Sequence, residues 1–216
     1  MKSEVYNIDV VEFMKTLPDK CFDLAIADPP YGIKEDGKKN HSRGRLAVAQ
    51  KYTPKEWDKE AMPKSFFDEL IRVSKNQIIW GANHFISSIP YDSSCWIVWD
   101  KDNGASDFAD CELAWTSFYS AVRKFKYRWA GMLQENMKNK ERRIHPTQKP
   151  VALYEWLIMN YAPPSGIIFD PMMGSQSSRI AAYKLGFDYV GCELDEEYFY
   201  KGNERFKNET LQLTLF

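Results

Sequence analysis

Short apolar runs alternate along the chain with segments whose apolar residues recur at helical spacing. Residues 22–27 (FDLAIA) form an apolar run that ends abruptly in Asp-Pro-Pro. That pattern predicts a buried strand opening into a loop, because proline cannot donate to a strand ladder. Residues 64–74 carry Phe66, Phe67, Leu70 and Ile71 at helical spacing, and residues 77–80, 95–99 and 113–116 read as strands. Further on, the pattern predicts a helix over 151–161, a brief strand over 167–169 and a helix over 177–185 closed by Gly186. A strand over 189–192 and a helix over 196–206 complete the series. Strands alternating with helices imply a mostly parallel sheet covered on both faces. Residues 34–59 and 127–145 hold no sustained period and read as loops, and no internal repeat is visible.

At 216 residues with 44% hydrophobic content, one good core can be buried, which leaves room for a single α/β domain with small insertions. The expected division is a domain over 1–207, with insertions near 34–59 and 127–145, and a tail over 208–216. Cys21, Cys95, Cys111 and Cys192 show no CxxC spacing, and His41, His84 and His145 are dispersed, so neither a metal site nor a disulfide framework is expected. A cytoplasmic setting fits this usage, and no leader or membrane-spanning run is expected. The net charge of -1 hides an asymmetry. Residues 118–149 hold nine basic and two acidic side chains, whereas residues 150–216 hold five basic and nine acidic ones. With the stretch KKNHSRGR at 38–45, this segregation suggests a phosphate-contacting face. Lys38, Lys39, Arg43, Arg45, Arg142 and Arg143 are its candidate contacts.

Asp28-Pro29-Pro30-Tyr31 at the end of a predicted strand is the strongest chemical signal. Ligands of open α/β sheets bind outside the carboxyl ends of strands. The two prolines remove backbone donors, leaving carbonyl oxygens and one carboxylate as an acceptor cluster suited to an amino group. An aromatic amine is a poor nucleophile because its lone pair is delocalised. Accepting its hydrogens at Asp28 and the Pro29 carbonyl favours a nitrogen able to attack a methyl donor in line, and Tyr31 offers a flat face to the base.

The stretch LPDKCFDLAIADPPYG, followed far downstream by HPTQKP (145–150), FDPMMGS (169–175) and GCEL (191–194), resembles the DNA amino-methyltransferases. The similarity is to the β-type adenine methylases, in which the amino-acceptor motif precedes the cofactor motif. These blocks frame nearly the whole chain. The resemblance implies a Rossmann-like fold with a seven-stranded, mostly parallel sheet, helices on both faces, and an antiparallel hairpin in its last strands. It also implies S-adenosylmethionine as donor, double-stranded DNA as substrate and the N6 amino group of adenine as target. Asp28, Pro29, Pro30 and Tyr31 are the expected catalytic residues. The expected cofactor contacts are Asp9, Asp28, Lys149, Phe169, Asp170, Pro171, Gly174, Ser175, Glu193 and Leu194, with His145 a further candidate. In physical terms Gly174, between a strand and a helix, lets the backbone approach a ligand at a helix N-terminus. Glu193, at the end of the next strand, is placed as a ribose-hydroxyl acceptor. The same GSQSS stretch also reads as a simple helix start with Ser175 or Ser177 as N-cap.

One departure stands out, since Gln176 occupies a position where the family usually has a second glycine and could crowd the cofactor. Residues 80–85 (WGANHF) resemble a mid-domain block of these methylases, and residues 95–101 (CWIVWDK) read as a buried strand with Lys101 at its mouth. The C-terminal Gln212-Leu213-Thr214-Leu215-Phe216 is similar to the short motif with which bacterial proteins dock on the replicative sliding clamp; packing of that tail on its own domain is the alternative. The small target-recognition region suggests a homodimer or a partner on DNA. Rival readings are methylation of the cytosine N4 amino group, which needs the same acceptors, and a clamp-associated DNA-binding protein without catalysis. Methylation of a protein glutamine is disfavoured, because relatives of that kind carry asparagine in place of Asp28 and place the cofactor motif first.

Overall fold

The structure, a computed structural model, describes residues 1–32, 61–104, 109–130 and 133–211. Its elements in chain order are β1 (Ser3–Asn7), α1 (Val10–Lys15), β2 (Phe22–Ala27), α2 (Lys64–Val73), β3 (Ser74–Trp80), β4 (Ile97–Asp100), β5 (Cys111–Thr116) and β6 (Arg123–Lys126). After these come β7 (Trp129–Ala130), β8 (Leu133–Gln134), α3 (Val151–Tyr161), β9 (Ile167–Asp170), α4 (Ser177–Leu185), β10 (Asp188–Glu193) and α5 (Glu196–Leu211). The main sheet has the order β1-β10-β9-β2-β3-β5-β4-β6, while β7 and β8 form a separate short hairpin inside the expected loop at 127–145.

The apolar run of β2 is buried on both faces, as expected for a strand in the middle of a parallel sheet. Successive side chains alternate across the sheet. Leu24 and Ile26 join Ile78, Trp80, Ile97 and Trp99 in a core covered by α3 and α4. Ala25 and Ala27 join Ile79 and Phe169 under α1 and α2, where Met14, Phe66, Phe67 and Leu70 are fully buried. Helices α3 and α4 have the bounds expected from sequence, and α4 is closed by Gly186 at φ +77°, a left-handed position that favours glycine.

Among the described residues the sheet has eight strands where seven were expected. The additional one, β6, reads RKFK; it lacks an apolar run because among the described strands it is an edge strand bonded only to β4, with its cations turned to solvent. Lys124 and Lys126 meet Asp100 and Asp102 there. The antiparallel hairpin is built from β4 and β5 in mid-chain, whereas the last two strands in sequence, β9 and β10, are parallel. Helix α5 continues to Leu211, so the first residues of the expected tail are helical. None of the described helices is long and apolar enough to cross a membrane.

At the amino ends of β2 and β3, Arg72 acts as a staple. Its guanidinium donates to the carbonyls of Met14 (2.7 Å) and Leu17 (2.8 Å) and to the carboxylates of Glu69 and Asp19 (2.7 Å each). It thereby gives the Met14 carbonyl a donor besides the Leu17 N–H at 3.0 Å and supplies one to the Leu17 carbonyl just past α1. Replacing Arg72 with Met should destabilise the fold, read as a lower urea midpoint. Urea denaturation tests this, and an unchanged midpoint and slope would contradict the stapling role.

Candidate active site

The sheet order changes direction between β2 and β9: the chain passes from β2 to β3 on one side and from β9 to β10 on the other. Such a switch leaves a crevice outside the carboxyl ends of the two strands. Ala25 is in register with Phe169, so the chain leaves the two strands side by side. Asp28-Pro29-Pro30-Tyr31 follows one and residues 171–175 follow the other. Two motifs far apart in sequence are thus neighbours at one rim.

Around Asp28 the rim holds a compact charged cluster. The Tyr31 hydroxyl donates to Asp28 Oδ1 at 2.8 Å, and Lys149 Nζ lies 2.6 Å from Asp28 Oδ2 and 3.0 Å from Glu112 Oε2. Lys101 Nζ holds the other Glu112 oxygen at 2.5 Å. The Lys149 side chain is 3% exposed, with its ammonium 5.6 Å from the Trp80 ring. Glu112 reaches this rim because β5 runs antiparallel to β3 and brings its amino end there. Lys149 reaches it from the residue pair that opens α3. Burial raises the Asp28 carboxyl against the opposing pull of Lys149. Burial would also raise Glu112, but the ammoniums of Lys149 and Lys101 hold it down at about 2. Burial opposes the charge on Lys149, yet Asp28 and Glu112 carry it above its ordinary value. Burial and the Asp28 and Glu112 carboxylates push the Tyr31 phenol far up, so it acts as a donor and not as an anion.

The Tyr31 ring stacks on His84 at 5.0 Å between centroids and 13° between planes. This placement needs Gly81. A Cβ at that position would lie 2.0 Å from Tyr31 Cε1, and its φ of +66° already favours glycine. The run WGANHF therefore supplies a bare backbone against which the tyrosine ring lies, with His84 at its face.

On the β9 side, Gly174 adopts φ +45°, and its N–H donates to Glu193 Oε2 at 2.9 Å. The Asp195 N–H donates to Glu193 Oε1 at 2.8 Å. His145 packs over this turn, 3.7 Å from where a Gly174 Cβ would be, and against Tyr198. Asp9 is the exposed N-cap of α1, accepting from the N–H groups of Val11 and Glu12, one residue beyond Ile8, whose N–H donates to the Glu193 carbonyl. Leu194 is 70% exposed beside it.

Other expected contacts lie at the rim or in the core below it. Lys149 is joined to Asp28 and Glu112 and is engaged there, with no bond to the Gly174 turn in evidence among its described partners. Phe169 is fully buried and stacked on Phe22 at 4.3 Å, a core position below the rim. Asp170 is 2% exposed and accepts from the Ser178 hydroxyl and the Met172 N–H. Pro171 and Ser175 are buried, and the Ser175 carbonyl accepts from Arg205 at 2.8 Å. Arg142 is exposed, while the Arg143 guanidinium stacks 4.5 Å from the Trp129 ring. Lys38, Lys39, Arg43 and Arg45, and the terminal Gln212, Leu213, Leu215 and Phe216, lie outside the described residues.

Three contributors were not singled out from sequence. Glu112 stands in the strand CELAWT, and a lone carboxylate leading into an apolar strand was the available signal. Arg205 and Glu141 form a buried pair at 2.8 Å that ties the Ser175 turn to the start of α3, where Glu141 Oε1 accepts from the Val151 N–H. Their sequence separation of 64 residues left no local signal.

A family of N6/N4 DNA methylases matches residues 91–204, more than half of the chain. The chain belongs to that family. This methylase is 25% identical to the Type II methyltransferase M.HinfI of Haemophilus influenzae, over 92% of this chain and 67% of that one. Its fold is similar to that of the M1.HpyAVI–SAM complex (TM-score 0.59, 22% identity, 94% of this chain and 99% of that one). It is also similar to the cytosine-N4-specific PvuII DNA methyltransferase (TM-score 0.62, 12% identity, 97% and 90%).

Gln176 of this methylase sits at φ +60°, the backbone reason that glycine suits the position. Its side chain is fully buried and turned toward α5, away from the Gly174 turn. Its amide donates to Asn203 at 3.2 Å and accepts from Arg179 at 2.9 Å, and it lies where a Cβ on Gly202 would clash at 2.7 Å. The absent side chain at 202 thus makes room for the extra one at 176.

Burial raises Asp170 from its ordinary 3.8 to about 7, with Ser178 and Met172 opposing. A carboxyl raised on folding binds more protons in the native state, so its contribution to stability is present below about pH 4 and is lost as pH rises through about 7. Asp170→Asn should therefore flatten the dependence of unfolding free energy on pH across that window. Parallel urea titrations at several pH values check this, and an identical slope for both proteins would contradict it.

Proposed function

We propose that this methylase transfers the methyl group of S-adenosylmethionine to the N6 amino group of adenine in DNA. The observation that carries the reading is the adjacency, at one topological switch point, of the Asp28 carboxylate and the Gly174–Glu193 turn. The residues present fit such a donor. Gly174 has no side chain to block a close approach, and Glu193 keeps lone pairs free after accepting two N–H groups. The carboxyls of Asp28 and Glu193 each help to raise that of Asp170, which marks a local excess of negative potential suited to a cationic donor.

Glu193 and the Gly174 backbone would hold the donor, with Asp9 nearby, one residue past the Ile8 N–H that donates to the Glu193 carbonyl, and His145 packed over the turn. The donor supplies an electrophilic methyl group. Asp28 and the Pro29 carbonyl accept the hydrogens of the incoming amine, which localises its lone pair for attack. Burial makes Asp28 a stronger acceptor than a solvated carboxylate. Tyr31, backed by His84, stacks on a base drawn out of the duplex; each such stack contributes about 1–3 kcal/mol and offsets much of the flipping cost. Arg142 and the exposed cations of β6 contribute positive potential toward DNA phosphates. Aspartate ahead of Pro-Pro-Tyr, where serine would favour cytosine, supports adenine as the base.

Nucleoside mass spectrometry of DNA from cells expressing the protein should show N6-methyladenine; N4-methylcytosine in its place would overturn the assigned base. Asp28→Ala should reduce transfer by about a hundredfold or more while donor binding measured by calorimetry stays close to that of the parent. Glu193→Ala should weaken the donor dissociation constant by about tenfold or more. Unchanged values would reject the respective roles.

A further inference from the structure

Both oxygens of Asp28 are engaged before any amine arrives, Oδ1 by the Tyr31 hydroxyl and Oδ2 by the Lys149 ammonium. For Oδ2 to accept an amino hydrogen, the ammonium must loosen its hold. Moving a buried charge away from its only counter-ion would cost several kcal/mol. Here a second counter-ion stands next to it. Glu112 Oε2 lies 3.0 Å from Lys149 Nζ, is buried, and receives no well-aligned hydrogen bond, while Lys101 fixes the other Glu112 oxygen. An ammonium has three donors, and Asp28, Glu112 and the Tyr31 hydroxyl at 3.4 Å surround this one.

We propose that Glu112 is a positioning residue that takes over the Lys149 ammonium as the substrate amine binds, releasing Asp28 Oδ2 to accept an amino hydrogen. The shift is charge-neutral, because the cluster holds two lysines and two carboxylates throughout. It requires only that the ammonium move a fraction of an ångström, from 2.6 Å on Asp28 toward the oxygen now at 3.0 Å. Glu112 is suited to the task because its own pair with Lys101 keeps it anionic and fixed while Lys149 moves. The inference rests on the amino-transfer reading given above.

The test compares single-turnover methyl transfer to DNA, with labelled S-adenosylmethionine, in Glu112→Gln, Glu112→Asp, Lys149→Met and the Lys149→Met/Glu112→Gln double variant. Glu112→Gln should lower the transfer rate about tenfold or more, with the donor dissociation constant within about twofold, and Glu112→Asp should recover part of the rate. In the Lys149→Met background, adding Glu112→Gln should change the rate less than about threefold, since no ammonium remains to be received. A parental rate for Glu112→Gln, or its full loss repeated on top of Lys149→Met, overturns the proposal. Should Glu112→Gln alone fail to fold, Glu112→Asp takes its place: a rate loss with Lys149 present that vanishes in the Lys149→Met background supports the proposal, and a parental rate for Glu112→Asp overturns it. Asp28→Ala separates the two levels of the argument. If it is active, the amino-transfer reading fails; if it is inactive while Glu112→Gln retains the parental rate, only the role of Glu112 fails.

Discussion

Lys149 carries a full positive charge on a side chain that is 3% exposed, and the rim of the sheet is built around that charge. Its counter-ions come from separate segments: Asp28 follows β2, and Glu112 opens β5. Lys101, just past β4, balances the second carboxylate. Breaking a buried pair by removing one partner costs about 3–5 kcal/mol, so these strand ends are held in place by electrostatics as well as by the apolar cores beneath them. The same network sets the state of Asp28, the group on which the proposed chemistry turns. Folding and function are therefore coupled through one ammonium.

The second half of the rim is organised differently. The Gly174 turn is held by backbone N–H groups on Glu193 and by the Arg205–Glu141 pair beneath Ser175. No buried cation sits at its mouth among the described partners; burial raises Asp170 and Glu193, and nearby carboxylates add to it, Asp28 and Glu193 for Asp170 and Asp195 for Glu193. One side of the switch point is thus charge-balanced and pre-bonded, the other weighted toward negative potential. A cationic donor and a neutral amine suit those two environments respectively.

Much of this architecture was legible in the residues. FDLAIA announced a buried strand opening into a loop, and the periodicity over 151–161 and 177–185 gave helices with the observed bounds. The order of the motifs around Asp28 and Gly174 placed both at strand ends. What escaped notice depended on contacts distant in sequence. β6 has no apolar run because it is an edge strand whose partner supplies the order. Glu112 and Arg205 take their roles from residues far along the chain. Lys149 was named with Asp28 as a cofactor contact, but its ion pair with that carboxylate was not foreseen, because the two partners are distant in sequence. Gln176 looked like an obstruction until the gap at Gly202 showed where its side chain goes.

The central claim is that Asp28 grips an extruded purine's amino group beside the donor turn. The most direct measurement is a crystal structure of this methylase with the demethylated donor product and a duplex carrying its methylatable adenine. The account predicts the adenine N6 at hydrogen-bond distance, about 3 Å, from Asp28 Oδ2, with the Lys149 ammonium drawn to Glu112. A base lodged elsewhere, with Lys149 still closed on Asp28, would contradict it.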